Sequence, residues 1–121
     1  EQMYPGHAEQ VGAAVIATNT ASYCCKGVII VDHDVAADDM TRVWWVLGTR
    51  FNPARGTQVI NRGRSTPLDP ALEPGTDKLI TSRIILNATI PFEWKVKPTE
   101  IRLSEAMLDR VRSRWQEYGL G

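Results

Sequence analysis

The chain has 121 residues, and 14 Lys+Arg balance 14 Asp+Glu, so its formal net charge is zero. One domain is expected at roughly 100–200 residues per domain, and 43% hydrophobic with 23% charged residues is a globular composition, not a disordered one. A balanced charge gives no whole-molecule attraction to nucleic acid or an anionic membrane, and no apolar run approaches the roughly 20 residues of a membrane span.

The chain opens Glu1-Gln2-Met3-Tyr4, without Met at the first position and without the basic-then-apolar order of a secretory leader. A processed or clipped start is the expectation. Residues 6–18 carry Ala8, Val11, Ala14, Val15 and Ile16 at helical spacing, behind Pro5 where a helix start tolerates it. Cys24-Cys25 are the only cysteines. Two neighbours make neither a disulfide framework nor a zinc finger, so they read as reduced thiols on a buried segment, and a cytoplasmic location follows from that usage.

Residues 27–32, Gly-Val-Ile-Ile-Val-Asp, form a continuous β-branched run that predicts a strand covered on both faces, as at the centre of an α/β sheet. The polar turn Asp32-His33-Asp34 follows; three consecutive side chains converge poorly on one metal ion, and His33 reads as exposed. His7, near a helix start, reads as a packing or capping residue. A helix is next, with Asp38 or Asp39 as its cap and with Met40, Val43, Trp44 and Leu47 on one face. Trp44 is then a core residue, and Trp45 points elsewhere.

Thr57-Gln58-Val59-Ile60 predicts a short strand, and Asn61–Asp77 a long loop with three prolines. Loops of that length inside compact domains are often functional. Ser82–Ile90 predicts another strand. Residues 91–103 make a Pro-bounded extended arm, and 104–118 a last helix, with Ser104 as its cap and Gly119 as its stop. On that helix Leu108, Val111, Trp115 and Tyr118 form one apolar stripe. The stripe and Trp94 of the arm read equally as internal core or as a contact with another chain.

The element order predicts an α/β fold: a three-layer α/β/α domain with a small mixed sheet, an extended arm and a C-terminal helix. Three good strands are few for a sheet, so a further strand is expected upstream of Glu1, or Gln2-Met3-Tyr4 is its tail. Composition and spacing expose no phosphate loop, nucleophile motif or metal-ligand spacing.

Several segments, taken in order, resemble one family. They are Gln2-Met3-Tyr4-Pro5-Gly6-His7-Ala8, Val28-Ile29-Ile30-Val31-Asp32 with Asp34-Val35, and Trp45 through Thr49-Arg50-Phe51-Asn52-Pro53-Ala54-Arg55. Arg64-Ser65-Thr66-Pro67-Leu68-Asp69-Pro70, Asn87-Ala88-Thr89-Ile90-Pro91 and Arg114-Trp115-Gln116-Glu117-Tyr118-Gly119 complete the set. Together they resemble the C-terminal portion of the UbiD family of reversible carboxy-lyases, which decarboxylate aromatic or α,β-unsaturated acids with prenylated flavin mononucleotide (prenylated FMN).

The resemblance implies that residues 1–121 are a single C-terminal domain and that the flavin-binding domain lies outside them. That other domain would carry prenylated FMN, a divalent metal (Mn) and K, together with the Glu-Arg-Glu catalytic residues. The present chain would be inactive alone. It would build a homo-oligomer, a dimer or higher, through Trp94, Leu108, Val111, Trp115 and Tyr118. It would also lend Thr66 and Leu68 to one wall of the substrate pocket. This sequence departs from the family pattern at His33 and Asn87. Thr20 stands where some members place a flavin-phosphate lysine, so no cofactor ligand is carried over. A stand-alone interaction module with the same fold is the alternative; a nucleic-acid binder is disfavoured by the balanced charge.

Overall fold

The computed structural model describes residues 1–75 and 80–119. Two helices lead: α1 (His7–Ala17) and α2 (Asn19–Cys24). Gly6 enters α1 in the left-handed region at φ 85°, and Thr18 caps α2 by accepting from Ala21 N at 3.3 Å. The sequence pattern predicts one helix over residues 6–18 and misses α2, because the Thr18 cap restarts a helix with no apolar periodicity of its own. α1 buries Ala8, Gly12 and Ile16, four residues apart, and leaves Val11 and Val15 exposed. A Cβ on Gly12 would meet Ile85 Cγ2 at 2.7 Å, so the small residue sets how closely α1 lies on the sheet.

Strand β1 (Gly27–Ile30) pairs in parallel with β3 (Ile80–Asn87), and β3 pairs antiparallel with β2 (Thr57–Arg64). The order is β1-β3-β2, a small mixed sheet of three strands, and the α/β class agrees with the sequence reading. The assignment of β1 to the sheet centre does not hold. Among the described residues β1 pairs with β3 alone and alternates between exposed and half-buried positions. β3 is the central strand. A continuous β-branched run does not distinguish centre from edge, whereas burial of Arg83 and Ile85 marks β3.

Side-chain alternation places Val28, Ile30, Ile85 and Asn87 toward α1. Ile29, Val59 and Ile84 take the other face and are exposed. Gln2-Met3-Tyr4 adds no strand: Gln2 is held by its side chain, which donates to Asp32 at 3.1 Å and to Ile90 O at 2.8 Å.

α3 (Met40–Thr49) is capped by Asp39, which accepts from Arg42 N at 2.9 Å. Its buried face is Val43 and Val46, packed with Val35 and Ala88 and flanked by Val31, Leu47 and Phe51. Trp44 is not core; it is 66% exposed. The apolar arc of α3 is wide enough for two seatings, and the small space at the strand ends accepts two valines rather than an indole. Trp45 is half-covered instead by the Arg42 guanidinium, 4.0 Å from its ring centroid. One turn of helix, α4 (Pro53–Gly56), precedes β2 and is capped by Asn52.

The arm from Pro91 to Leu103 has no helix or strand, as expected. Arg42 clasps it through both oxygens of Glu100, which also accepts from Arg102 at 3.0 Å. The last helix is shorter than predicted. α5 (Glu105–Ser113) is capped by Ser104, and its final turn loosens where Ser113 Oγ donates to Arg110 O at 3.0 Å. A 3-10 turn, Trp115–Tyr118, then runs to Gly119 at φ 68°.

Arg42 and Arg102 lower the Glu100 carboxyl from 4.5 to about 2, with the Arg42 hydrogen bond the larger cause. A depressed folded pKa means the clasp stabilises the protein fully above the ordinary value and loses that contribution as pH falls toward 2. Trp45 fluorescence should therefore change between pH 4.5 and about 2. The Glu100→Gln variant should lack that transition; an identical acid titration in the two proteins would remove the clasp from the account.

Candidate functional site

Arg83 organises one end of the molecule. It is 4% exposed, and its guanidinium donates to the carbonyls of Ala21, Ser22 and Cys25 and to that of Arg64. The first two belong to α2 and the third to the residue just after it, at a helix end whose partial negative charge attracts a cation; Ala21 O also accepts from Cys25 N at 2.9 Å. The fourth ends β2. One side chain from the central strand thus fixes both the approach to β1 and the departure into the long loop. Gly63 makes this possible, because a Cβ there would meet Arg83 Nε at 2.6 Å. Gly63 follows the register shift in β2 after Ile60, where the strand makes room for the guanidinium.

The loop leaves β2 at Ser65, later than the predicted start at Asn61; Thr76 and Asp77 of the predicted loop lie outside the described residues. Asp69 pins it. Its carboxylate accepts from Ala71 N at 3.0 Å and from buried Ser65 Oγ at 3.3 Å, and pairs with Lys26 Nζ at 2.6 Å. The Lys26 contact, followed by the Ala71 hydrogen bond, holds the Asp69 carboxyl below the usual carboxylate range. Thr66 Oγ1 accepts from Leu68 N at 3.3 Å, and Thr66 O accepts from Asp69 N at 3.0 Å. The loop is a series of side-chain-closed turns stiffened by Pro67 and Pro70.

Thr66 and Leu68 line one groove of about 210 Å³ with Cys24, Cys25, Lys26 and Arg83. Thr66 and Leu68 are the two residues the family resemblance offered for a pocket wall; the other four were not among its site residues. Leu68 is 87% exposed. The cysteines do not lie on a buried segment: Cys24 is exposed and Cys25 half-buried, because the unanticipated α2 ends at Cys24 and buries none of its residues. No sequence signal marked Arg83, a lone cation inside an apolar strand; that incongruity was the available clue.

A second groove of about 300 Å³ lies at the far ends of β1 and β3, lined by Asp32, His33, Asp34, Arg50, Phe92 and Lys97. Its acids serve structure. Arg50 donates to Asp34 at 2.8 and 2.6 Å and to Asp32 at 3.3 Å, while Asp32 also accepts from Ile90 N at 2.9 Å. The fork on Asp34 lowers its carboxyl pKa. His33 is exposed, and His7 Nδ1 accepts from Met3 N at 3.0 Å with its ring stacked on Tyr4, both as the sequence suggested. Among the described residues no group of three or more His, Cys, Asp or Glu could hold a metal ion.

The stripe residues are split. Leu108 and Val111 are half-buried on α5, while Trp115 and Tyr118 stand on the 3-10 turn, 46% and 44% exposed. Trp94 is 46% exposed, with Arg55 5.5 Å from its ring centroid. No residue of α5 is buried. Among the described residues no helix is long and apolar enough to cross a membrane.

Residues 1–88 match the family model of the 3-octaprenyl-4-hydroxybenzoate carboxy-lyase C-terminal domain, so the chain belongs to the UbiD family and represents its C-terminal portion. It is 36% identical over 88 residues to a phenolic acid decarboxylase of Bacillus subtilis, covering 73% of this chain and 18% of that protein. The structure superposes on the UbiD-class enzyme HmfF of Pelotomaculum thermopropionicum, solved with FMN, with a TM-score of 0.72 at 26% identity, covering 91% of this chain and 23% of the other. It superposes on the vanillic acid decarboxylase of Sedimentibacter hydroxybenzoicus with a TM-score of 0.69 at 26% identity, covering 94% and 25%. The chain thus spans about a quarter or less of these relatives' length.

Replacing Arg83 by Met removes this donor from the carbonyls of Ser22, Cys25 and Arg64, at up to about 1–3 kcal/mol for each group that stays shielded from water. Arg83→Lys should rescue little, because an ammonium lacks the planar fork. Thermal melts should show a large loss of stability in both variants; a melting point unchanged in Arg83→Met would mean the guanidinium is not structural.

Proposed function

We propose that this chain is the C-terminal, oligomer-forming and pocket-lining part of a UbiD-class carboxy-lyase acting on aromatic or α,β-unsaturated carboxylic acids. Family membership over residues 1–88 carries the reading. Prenylated FMN supplies the electron sink for decarboxylation in such an enzyme. The groove does not fit that cofactor by itself. Its volume of about 210 Å³ lies below the ~300–1,000 Å³ of small-molecule pockets. Its two cations, Lys26 and Arg83, are already engaged by Asp69 and by backbone carbonyls. The flavin, Mn and K are accordingly assigned to another domain of the complete enzyme, together with the acid-base residues.

This chain's contribution is shape. The Asp69-braced loop holds Leu68 out as an exposed apolar side chain on a stiff support, a surface suited to the face of an aromatic ring. Thr66, beside it, has a hydroxyl proton to donate while its oxygen accepts from Leu68 N. In the full-length enzyme, Leu68→Ala should raise KM for an aromatic acid by about 10-fold, for roughly 1–3 kcal/mol of lost apolar contact. Substitution of Thr66 and Leu68 with no change in substrate profile would sink the pocket role.

The oligomer contact is assigned to Trp94, Leu108, Val111, Trp115 and Tyr118. What supports it is a terminal helix with no fully buried residue and two half-exposed aromatics beside it. Light scattering on the chain should give a dimer or higher multiple, and Trp115→Glu should shift it to monomer. A folded monomer in both cases would remove this segment as an autonomous assembly surface.

A further inference from the structure

We propose that residues 99–103 of the arm pair with the same residues of a second copy of this chain, as a two-stranded antiparallel ribbon centred on Ile101. This deepens the oligomer part of the proposed function and rests on it in one respect, that two copies meet. From Lys97 to Ser104 the chain has no helix, strand or turn, and among the described residues 99–103 make no backbone–backbone hydrogen bond. Backbone donors and acceptors left in this way are a template for another strand. The side chains follow the period of two of an extended chain. Glu100 and Arg102 share one side, where they meet at 3.0 Å and where Arg42 of α3 holds Glu100. Alternation places Thr99, Ile101 and Leu103 on the other side, and there Ile101 is 95% and Leu103 55% exposed.

The pattern of charge and apolarity names both the occupant and the register. A two-fold axis through Ile101 sets residue 100 opposite residue 102 of the other copy, and residue 99 opposite residue 103. Each Glu100 then faces an Arg102, and the four charges form a square in which every neighbour has the opposite sign. Arg102 is free to turn toward the other copy, since its side chain is 68% exposed. On the second face the two Ile101 side chains meet, flanked by the two Leu103. Sliding one strand by a single residue sets Glu100 against Ile101 and mixes the two faces. Sliding it by two sets Glu100 against Glu100, or Arg102 against Arg102. The favoured register also places Pro98, which has no N–H, opposite Ser104, where α5 is capped, so the ladder stops after five residues at both ends. A two-stranded ribbon alone is marginal in water, so the pairing adds to an apolar contact between the copies and does not replace one.

The test uses the full-length protein, with cysteine placed at exposed arm positions, mild oxidation, and peptide mapping by mass spectrometry. Ile101→Cys should link two copies through position 101, because opposed antiparallel residues have Cα atoms about 4.5–5.5 Å apart, within disulfide reach. Thr99→Cys alone should not link to itself, since its two copies lie four residues apart along the ribbon at roughly 3.4 Å each. Thr99→Cys combined with Leu103→Cys should link position 99 to position 103. Arg102→Glu sets like charges opposite one another and leaves the Arg42–Glu100 clasp intact, so it should slow the Ile101→Cys linkage by about 10-fold. No linkage at position 101 would overturn the proposal, as would linkage of Thr99→Cys alone as fast as that of Ile101→Cys. Trp115→Glu separates this outcome from the oligomer assignment. A dimer that Trp115→Glu dissociates, with no linkage at 101, keeps the contact assigned to α5 and removes the ribbon. A monomer with no linkage removes both. Linkage at 101 in a dimer that Trp115→Glu leaves whole supports the ribbon and moves the apolar contact away from α5.

Discussion

The fold depends on one buried guanidinium. Arg83 stands in the strand with partners on both sides, and its donors are taken by four carbonyls from α2, the segment after it and β2. A cation in an interior is costly unless its donors are satisfied. Here satisfaction comes from carbonyls near and after the end of a short helix, together with that of Arg64 at the end of β2. The same contact that solves the problem of the charge therefore solves the problem of the helix terminus, and it leaves α2, β1 and the long loop converging on one groove.

The opposite end of the sheet is closed by the same kind of economy with the signs reversed. Asp32 accepts from Gln2, Arg50 and Ile90 N, tying the N-terminal segment, α3 and the start of the arm to the end of β1. Between these two polar hubs the apolar core is small, built on Val43, Val46, Val35 and Ala88. Large apolar groups are mostly outside it: Trp44, Leu68, Val96 and Ile101 are each more than half exposed. That distribution leaves a large apolar surface outside the core of the described residues.

Local signals were legible where a cap or an alternation acts within a few residues. Asp39 and Ser104 mark helix starts they were read to mark, Gly119 ends the 3-10 turn rather than α5, and the strand class of residues 27–30, 57–60 and 82–87 follows from β-branched runs. What was not legible depends on partners distant in sequence. Sheet order needs the β1–β3 pairing across more than fifty residues, so β1 was misplaced at the centre. The seating of α3 needs the volume at the strand ends, so Trp44 was misassigned. The groove could be half read: Thr66 and Leu68 came from the family pattern, but Arg83 and Lys26 reach it through contacts 19 to 62 and 43 residues apart in sequence, which no window contains.

The closeness of Gly63 to Arg83 has an evolutionary corollary. With 2.6 Å between a would-be Cβ and the guanidinium nitrogen, position 63 cannot gain a side chain while the Arg83 guanidinium keeps its place. A lineage that gains a side chain at position 63 must first, or at once, surrender the long cation at position 83 and find another cover for the end of α2. The order is therefore constrained, with position 83 changing before or together with position 63, while the Leu68 tip beside it is free to vary with whatever molecule it faces.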